Sequence, residues 1–348
     1  MVNLGPVIPV HRFDENAIKV WLADVVPDFR GDMSIRQFQG GQSNPTFLIE
    51  AGGKRIVLRK KPPGQLLNKA HDVEREFRVV SSLGLTNVPV ARIIALCNDT
   101  EVIGTPFYVM EFVEGRIFDN ATMEGIGPDE RMRLHFASVD ALTKLHAIDF
   151  EAVDLNDFGL KGGYVDRQVK RWSRQYQLSL SAGELPALTW LADWLREHQE
   201  VRDETTIVHG DFRIGNLCFA VGEPKVEAIF DWELSTLGHP LSDLAYLCMP
   251  YRIDAHVPHS RGILGLNLIH LGIPQEQEIV ERYCTMMGRS TLPDWNVFLV
   301  LAFFRLSAIL HGVMARALQG NASDANAHHV AQRAGLLAEI GQTIARQH

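Results

Sequence analysis

Along the first third of the chain, apolar positions come in short runs with β-branched content, punctuated by glycines. Ser34 to Phe38, Thr46 to Ala51 and Arg55 to Arg59 read as strands, and Gly52 with Gly53 makes the turn between the last two. Val73, Phe77, Val80 and Leu83 then fall at helical spacing, so a helix is expected from about Asp72 to Leu83, stopped by Gly84. Further strands are expected near Arg92 to Cys97 and Phe107 to Phe112.

After Gly115 the period lengthens. Pro128 to Ala147, Tyr164 to Ser181, Leu185 to Glu197 and several stretches between Pro274 and Arg346 read as helices. Set among them is a compact strand-loop-strand insert, Thr206 to Asp231. The pattern predicts an α+β chain with a boundary near Val113 to Gly115: a β-rich lobe over residues 1–113 and a mainly helical lobe over 114–348. The apolar run Val297 to Leu310 is interrupted by Arg305 and falls short of the roughly 20 residues that span a bilayer, so it is expected to be a buried helix and no membrane partner is expected.

Composition narrows the partners. A formal net charge of -8, with scattered Lys and Arg, argues against a nucleic-acid partner held by phosphate contacts. A small-molecule substrate is expected, on a monomer or homodimer. Cys97, Cys218, Cys248 and Cys284 form no CxxC pair, which suits reduced thiols and a cytoplasmic location. The N-terminal MVNLGPVIPVHRF has no basic segment followed by an apolar core, so no secretory signal is expected.

The insert carries the chemistry. It reads IVHGDFRIGNLCF from Ile207, then AIFDWE from Ala228. Phosphoryl transfer needs positioning more than covalent help: a carboxylate to orient the attacking hydroxyl, and hard oxygen ligands for the magnesium ions that bridge the phosphates. Asp211, Asn216 five residues on, and Asp231 at the end of an apolar strand supply that set, and Glu233 could join through a second ion or a water. An Asp at a turn is more often a cap than a ligand, so the joint spacing carries the inference and no single residue does. His209 is expected to shape the loop by hydrogen bonding.

HGDFRIGNLCF followed by IFDWE resembles the catalytic and metal-binding segments of aminoglycoside phosphotransferases and related choline-kinase-like enzymes, a family with the protein-kinase fold. The resemblance covers roughly residues 34 to 250. It implies ATP and Mg2+ as cofactors, Asp211 as catalytic base, Asn216 and Asp231 as magnesium ligands, and Cys218 on the floor of the adenine pocket. It also implies that the strand Arg55 to Arg59 carries the phosphate-binding cation. Alternation puts Val57 and Arg59 on one face, which makes Arg59 the candidate; Lys60 or Lys61 takes the role if the register slips by a residue. DVEREF resembles the segment whose last Glu pairs with that cation, pointing to Glu76, against the alternative of an ordinary exposed charge run. Gly40, Gly41, Gln42 and Ser43 fall where the family covers the nucleotide phosphates, although a plain hairpin turn reads the same way. YVMEFVEG resembles the hinge, with the backbone of Glu111 and Val113 on the adenine edge and Met110 behind it. GHPLSDLA extends the match, and Asp243 is expected to cap the following helix or brace the loop.

The acceptor is less constrained. An aminoglycoside kinase should line its pocket with carboxylates, yet residues 295–323 contain no acid, while Arg305 and Arg316 share a helical face. Those arginines either face an anionic acceptor or pair with core carboxylates. RKKPPGQLLNKAHDVEREFRV and DWELSTLGHPLSDLAY resemble the kinase-like domains associated with some acyl-CoA dehydrogenases, which implies a hydroxyacyl acceptor. The expected function is therefore ATP-dependent transfer to a substrate hydroxyl, with an antibiotic kinase and a catalytically silent nucleotide-binding module as alternatives. Protein kinase activity is disfavoured, since no DFG with a following APE segment is found.

Overall fold

The computed structural model describes residues 4–39, 44–62, 72–258, 260–318 and 327–347. Two compact units interleave along the chain: Met1–Ile117 with Glu151–Leu155 and Asn216–Leu234, and Phe118–Phe150 with Asn156–Gly215 and Ser235–His348. The composition is α+β, as the hydrophobic pattern predicts.

The first unit is built on an antiparallel sheet of β1 (Leu4–Gly5), β2 (Ser34–Phe38), β3 (Thr46–Ala51), β4 (Lys54–Lys60), β5 (Ile93–Cys97) and β6 (Phe107–Glu111), in the order β1-β2-β3-β4-β6-β5. Alternation along β4 sends successive side chains to opposite faces. Ile56 and Leu58 join Phe47, Ile49, Phe107 and Val109 under the helix α1 (Glu15–Val25), which contributes Ile18 and Leu22. Val57 goes the other way, to Val73, Tyr108, Met110 and Phe230. The sheet is therefore covered on both faces, and β4 is central to it.

Two of these elements are not evident from the strand-like reading of the first third. Asp14 caps α1 by accepting from the N–H groups of Asn16 and Ala17, and β1 adds an edge to β2. The helix α2 (Val73–Leu83) begins one residue later than expected because Asp72 is its N-cap, accepting from Arg75 N–H. A second, three-stranded sheet joins Arg116–Ile117, Leu217–Phe219 and Val226–Ile229. Gly115 leads into it. A Cβ there would collide with Cys218 Sγ and lie 2.6 Å from the Phe219 carbonyl oxygen, so the residue must be glycine for the strands to close.

The second unit is mainly helical: Pro128–His146, Tyr164–Leu178, Pro186–Glu197, Leu241–Cys248, Glu276–Met286, Trp295–Leu318 and Ala327–Ala345. Trp295–Leu318 is long and apolar enough to cross a membrane, but most of its apolar length is buried inside the unit, packed on Ala327–Ala345 and Tyr164–Leu178. The buried helix expected over Val297 to Leu310 is its middle. A two-stranded ladder, Thr206–Val208 with Thr236–Gly238, holds the two ends of the chemistry-bearing segment in this unit.

Candidate active site

In the first unit the site is organised by Arg59. It lies on the same face of β4 as Val57, and its Nε is 2.7 Å from Glu76 Oε2, with Nη2 2.9 Å from Asp231 Oδ1. Its Nη1 reaches Thr46 Oγ1 at 3.3 Å. Glu76 comes from the first turn of α2 on the same face as Val73 and Val80, and it is 2% exposed. Asn44 Nδ2 and Tyr108 Oη also donate to it. Burial holds the Glu76 carboxyl above its ordinary value, with Arg59 and Asn44 offsetting part of the rise; burial alone would lower Arg59, but Glu76 and Asp231 hold it above its ordinary value.

The register question is settled by these contacts. Lys60 lies on the opposite face of β4, with Nζ 5.7 Å from the centre of the Phe13 ring, and Lys61 faces Glu74 at 3.6 Å. Only Arg59 of the three is brought to Glu76.

A cavity of about 270 Å³ opens beside this cluster. Val57, Ala91, Met110, Phe112, Ile117 and Ile229 give it apolar walls, and Arg59 and Asp231 are its charged lining residues beside Glu111. Glu111, Val113 and Cys218 line it as well, so the four residues expected around an adenine converge on one space. Cys218 is buried on its strand, and burial pushes its thiol up to about 11. Gly40, Gly41, Gln42 and Ser43 lie outside the described residues.

Asn216 and Asp231 follow from two neighbouring strands. Asn216 ends a 3-10 turn, Ile214–Asn216, and its carbonyl accepts from Phe230 N–H at 2.8 Å, which draws the residue preceding Asp231 to it. Asp231 has φ 69, a left-handed backbone that Asp tolerates better than most residues. Glu233 is half-buried in the 3-10 turn Trp232–Leu234. Among the described residues no group of three or more His, Cys, Asp and Glu side chains suits a metal ion.

In the second unit, Asp211 stands on the loop after Thr206–Val208. Its N–H donates to His209 Nδ1 at 3.1 Å, Arg213 Nε lies 3.3 Å from its Oδ2, and the Tyr246 hydroxyl hydrogen-bonds its carboxylate. His209 is fully buried and shapes the loop, as expected. Asp243 sits inside the first turn of Leu241–Cys248 and does not cap it; it accepts from His209 N–H at 2.6 Å and Gly210 N–H at 2.8 Å, with His146 Nε2 3.4 Å away. It is the brace of the loop. Burial would raise its carboxyl, but His146, His209 and Gly210 N–H hold it below the ordinary carboxylate value.

Beside Asp211 lies a second cavity, of about 150 Å³, lined by Asp119, Arg213, Tyr246, Leu306, Arg261 and Arg333 among others. Arg305 and Arg316, singled out in the sequence, are not among the residues that line it. Arg305 is 8% exposed and packs between the rings of Trp172 and Tyr246, at 5.6 and 5.5 Å, whereas Arg316 emerges exposed near the end of the same helix. Eleven residues at about 1.5 Å each separate them by roughly three turns, so sharing a helical face does not bring them to one ligand. The arginines that do meet come from three segments, and only Arg213, two residues after Asp211, carries a local sequence signal.

These features coincide with a known group. Residues 34–265 match the phosphotransferase enzyme family APH, and the chain belongs to that family, with its kinase-like α+β fold. Human acyl-CoA dehydrogenase family member 11 is 40% identical over 99% of this chain, and the chain spans 45% of that protein's length. A crystallised protein of Ralstonia eutropha JMP134, provisionally named an aminoglycoside phosphotransferase, is 42% identical with a TM-score of 0.86, covering 97% of this chain and 99% of its own. Aminoglycoside 2'-phosphotransferase-IIIa in its GDP complex shares the fold at 14% identity, with a TM-score of 0.63 over 95% of this chain and 99% of that one.

Proposed function

We propose that this chain is a small-molecule kinase that moves the γ-phosphoryl group of ATP onto the hydroxyl of an anionic metabolite of the hydroxyacyl class. The observation that carries the reading is Arg59, a cation held on buried Glu76 and turned toward Asp231 in the lining of a largely apolar cavity. Such an arrangement suits a nucleotide whose base lies among Met110, Cys218 and the backbone of Glu111 and Val113, and whose phosphates reach Arg59.

Asn216 and Asp231 offer an amide oxygen and a carboxylate. That set fits magnesium, which takes one or two carboxylates together with nucleotide phosphates more readily than an all-protein cage. Bound there, with Glu233 as a further oxygen, the ion would neutralise charge on the β- and γ-phosphates. Asp211 orients the acceptor. Its carboxylate accepts the hydrogen bond of the hydroxyl, whose oxygen attacks the γ-phosphorus. The bond from that phosphorus to the β,γ-bridging oxygen breaks, ADP leaves with the electron pair, and the hydroxyl proton passes to Asp211 and on to solvent.

The hydroxyacyl class is supported by the 40% identity to a protein named for acyl-CoA dehydrogenation. A reducing, cytoplasmic setting suits the four free thiols. The test is ADP release in the presence of pooled hydroxyacyl thioesters, hydroxy acids, neutral alcohols and aminoglycosides, with Asp211→Asn as control. We expect turnover with the hydroxyacyl pool, reduced about 10³-fold in the variant with nucleotide affinity retained. Turnover confined to aminoglycosides would overturn the acceptor class. Tight nucleotide binding with no turnover in any pool would favour the silent module.

A further inference from the structure

We propose that Arg213, Arg261 and Arg333 form an oxyanion seat that holds a carboxylate or phosphate of the acceptor and so selects anionic substrates; the proposal rests on the small-molecule kinase reading and names the feature of its substrate that this chain recognises. The three guanidiniums come from distant segments, the loop after Asp211, the segment following Pro250 and the C-terminal helix Ala327–Ala345, and they line one cavity of about 150 Å³. Asp119 is the one carboxylate among its lining residues. The cavity adjoins the reacting group: Arg213 faces Asp211 at 3.3 Å and Tyr246, another lining residue, hydrogen-bonds the same carboxylate.

Two of the arginines are set by their surroundings. Gly215 leaves the space that Arg213's guanidinium occupies, since a Cβ there would collide with Nη1. Arg261 has φ 57, a left-handed backbone that costs a non-glycine residue on the order of 1 kcal/mol, and it keeps that conformation because its flanks are anchored. Ile263 N–H bonds the Pro250 carbonyl at 2.9 Å, Leu264 N–H bonds Ile253 at 3.0 Å, and Ala255 N–H bonds Leu264 at 3.0 Å. Strained backbone held in place by its flanks is a common feature of ligand clamps.

Electrostatics runs the same way. Burial and the charge of Arg213 pull Arg261 below the ordinary guanidinium value; burial and the charge of Arg261 do the same to Arg333. Like charges gathered at a half-buried cavity repel one another, and an oxyanion between them reverses the sign of that interaction. Arginine's planar fork suits carboxylate and phosphate oxygens in particular. A cavity of about 150 Å³ accepts a group about as large as benzene, enough for a headgroup with a short stem.

The oxyanion could be the free carboxylate of a hydroxy acid or a phosphate of its coenzyme A thioester. The experiment therefore compares a short hydroxy acid, its methyl ester and its coenzyme A thioester as acceptors, in the full chain and in Arg261→Gln, Arg333→Gln and Arg261→Lys. Expected is a rise in KM of about 10- to 100-fold for one anionic acceptor in each Gln variant, with kcat nearly unchanged, the methyl ester unaffected and Arg261→Lys partly rescued. Whichever anion shows the loss, acid or thioester, is the source of the oxyanion. Equal losses for the methyl ester, or no loss for either anion, would overturn the seat. If no acceptor turns over, the kinase reading falls and the seat is judged by calorimetry with the hydroxy acid and with coenzyme A. Binding that disappears in Arg261→Gln while thermal stability is kept upholds the seat; equal binding in both proteins, or none in either, refutes it.

Discussion

Arg59 joins two carboxylates that the sequence keeps far apart: its Nε lies 2.7 Å from Glu76 and its Nη2 2.9 Å from Asp231. Central strand, first helix turn and left-handed turn all meet at one guanidinium. A buried cation with a single partner would serve stability alone. A cation turned toward a second carboxylate in the lining of a cavity has somewhere else to go when a phosphate arrives.

Substitution of Glu76 by Gln should therefore cost both stability and nucleotide affinity. The change keeps the shape but removes the counter-charge from a side chain that is 13% exposed. Breaking one side of a buried pair costs about 3 kcal/mol, to be read from urea unfolding. Because Arg59 would then lean on Asp231 alone, nucleotide affinity should fall about tenfold or more. Arg59→Lys, which cannot fork to two carboxylates, should lose affinity with a smaller loss of stability. Unchanged affinity in both variants would remove Arg59 from the nucleotide site.

Much of this arrangement is legible in the chain because it is local. The Asp211 to Asn216 spacing lies on one loop, and the alternation that pairs Val57 with Arg59 is a property of any strand. Even α1 announces itself by Asp14 and the spacing of Ile18, Trp21, Leu22 and Val25, although a strand-dominated reading of that region passes over it. The two-residue β1 has no such signature, since its existence depends on β2 offering an edge. Arg261 and Arg333 are illegible for the same reason. Nothing within a few residues of either points to Arg213, and only tertiary packing brings them to a common cavity, whereas Arg305 and Arg316, which share a helical face, are kept apart by the rise of their own helix.

Acid should loosen the second unit through His239. Leu241 N–H donates to its Nδ1 at 3.2 Å, so Nε2 carries the proton and donates to the Arg202 carbonyl at 3.1 Å. Charging the ring would place a second proton against an N–H. Burial is the main reason that its value falls from 6.5 to about 4. The unfolded chain then takes up the proton first, so the contribution is complete above pH 6.5, declines as pH falls and is gone below about pH 4. The difference amounts to about 3 kcal/mol. His239→Gln should flatten the acid limb of a stability-against-pH curve over that interval; an unaltered limb would mean that His239 titrates freely.

Replacing a single atom of Asp243 should separate turnover from nucleotide affinity. Its carboxylate collects the N–H groups of His209 and Gly210 and faces His146, so it fixes the start of the loop that carries Asp211 without lying in the unit that holds Arg59 and Glu76. In Asp243→Asn one acceptor oxygen becomes a donor directed at a backbone N–H, and leaving such a group unsatisfied in the interior costs about 1–3 kcal/mol. Thermal melting should register that loss. Turnover should fall about 10- to 100-fold, since a loop displaced by an ångström misdirects its carboxylate, while the affinity for ATP stays within about twofold because Arg59, Glu76 and Asp231 are untouched. A purely structural Asp243 would lower the melting temperature and leave kcat of the folded fraction intact. Loss of ATP affinity in step with turnover would show instead that the effect of Asp243 is not confined to the loop it braces.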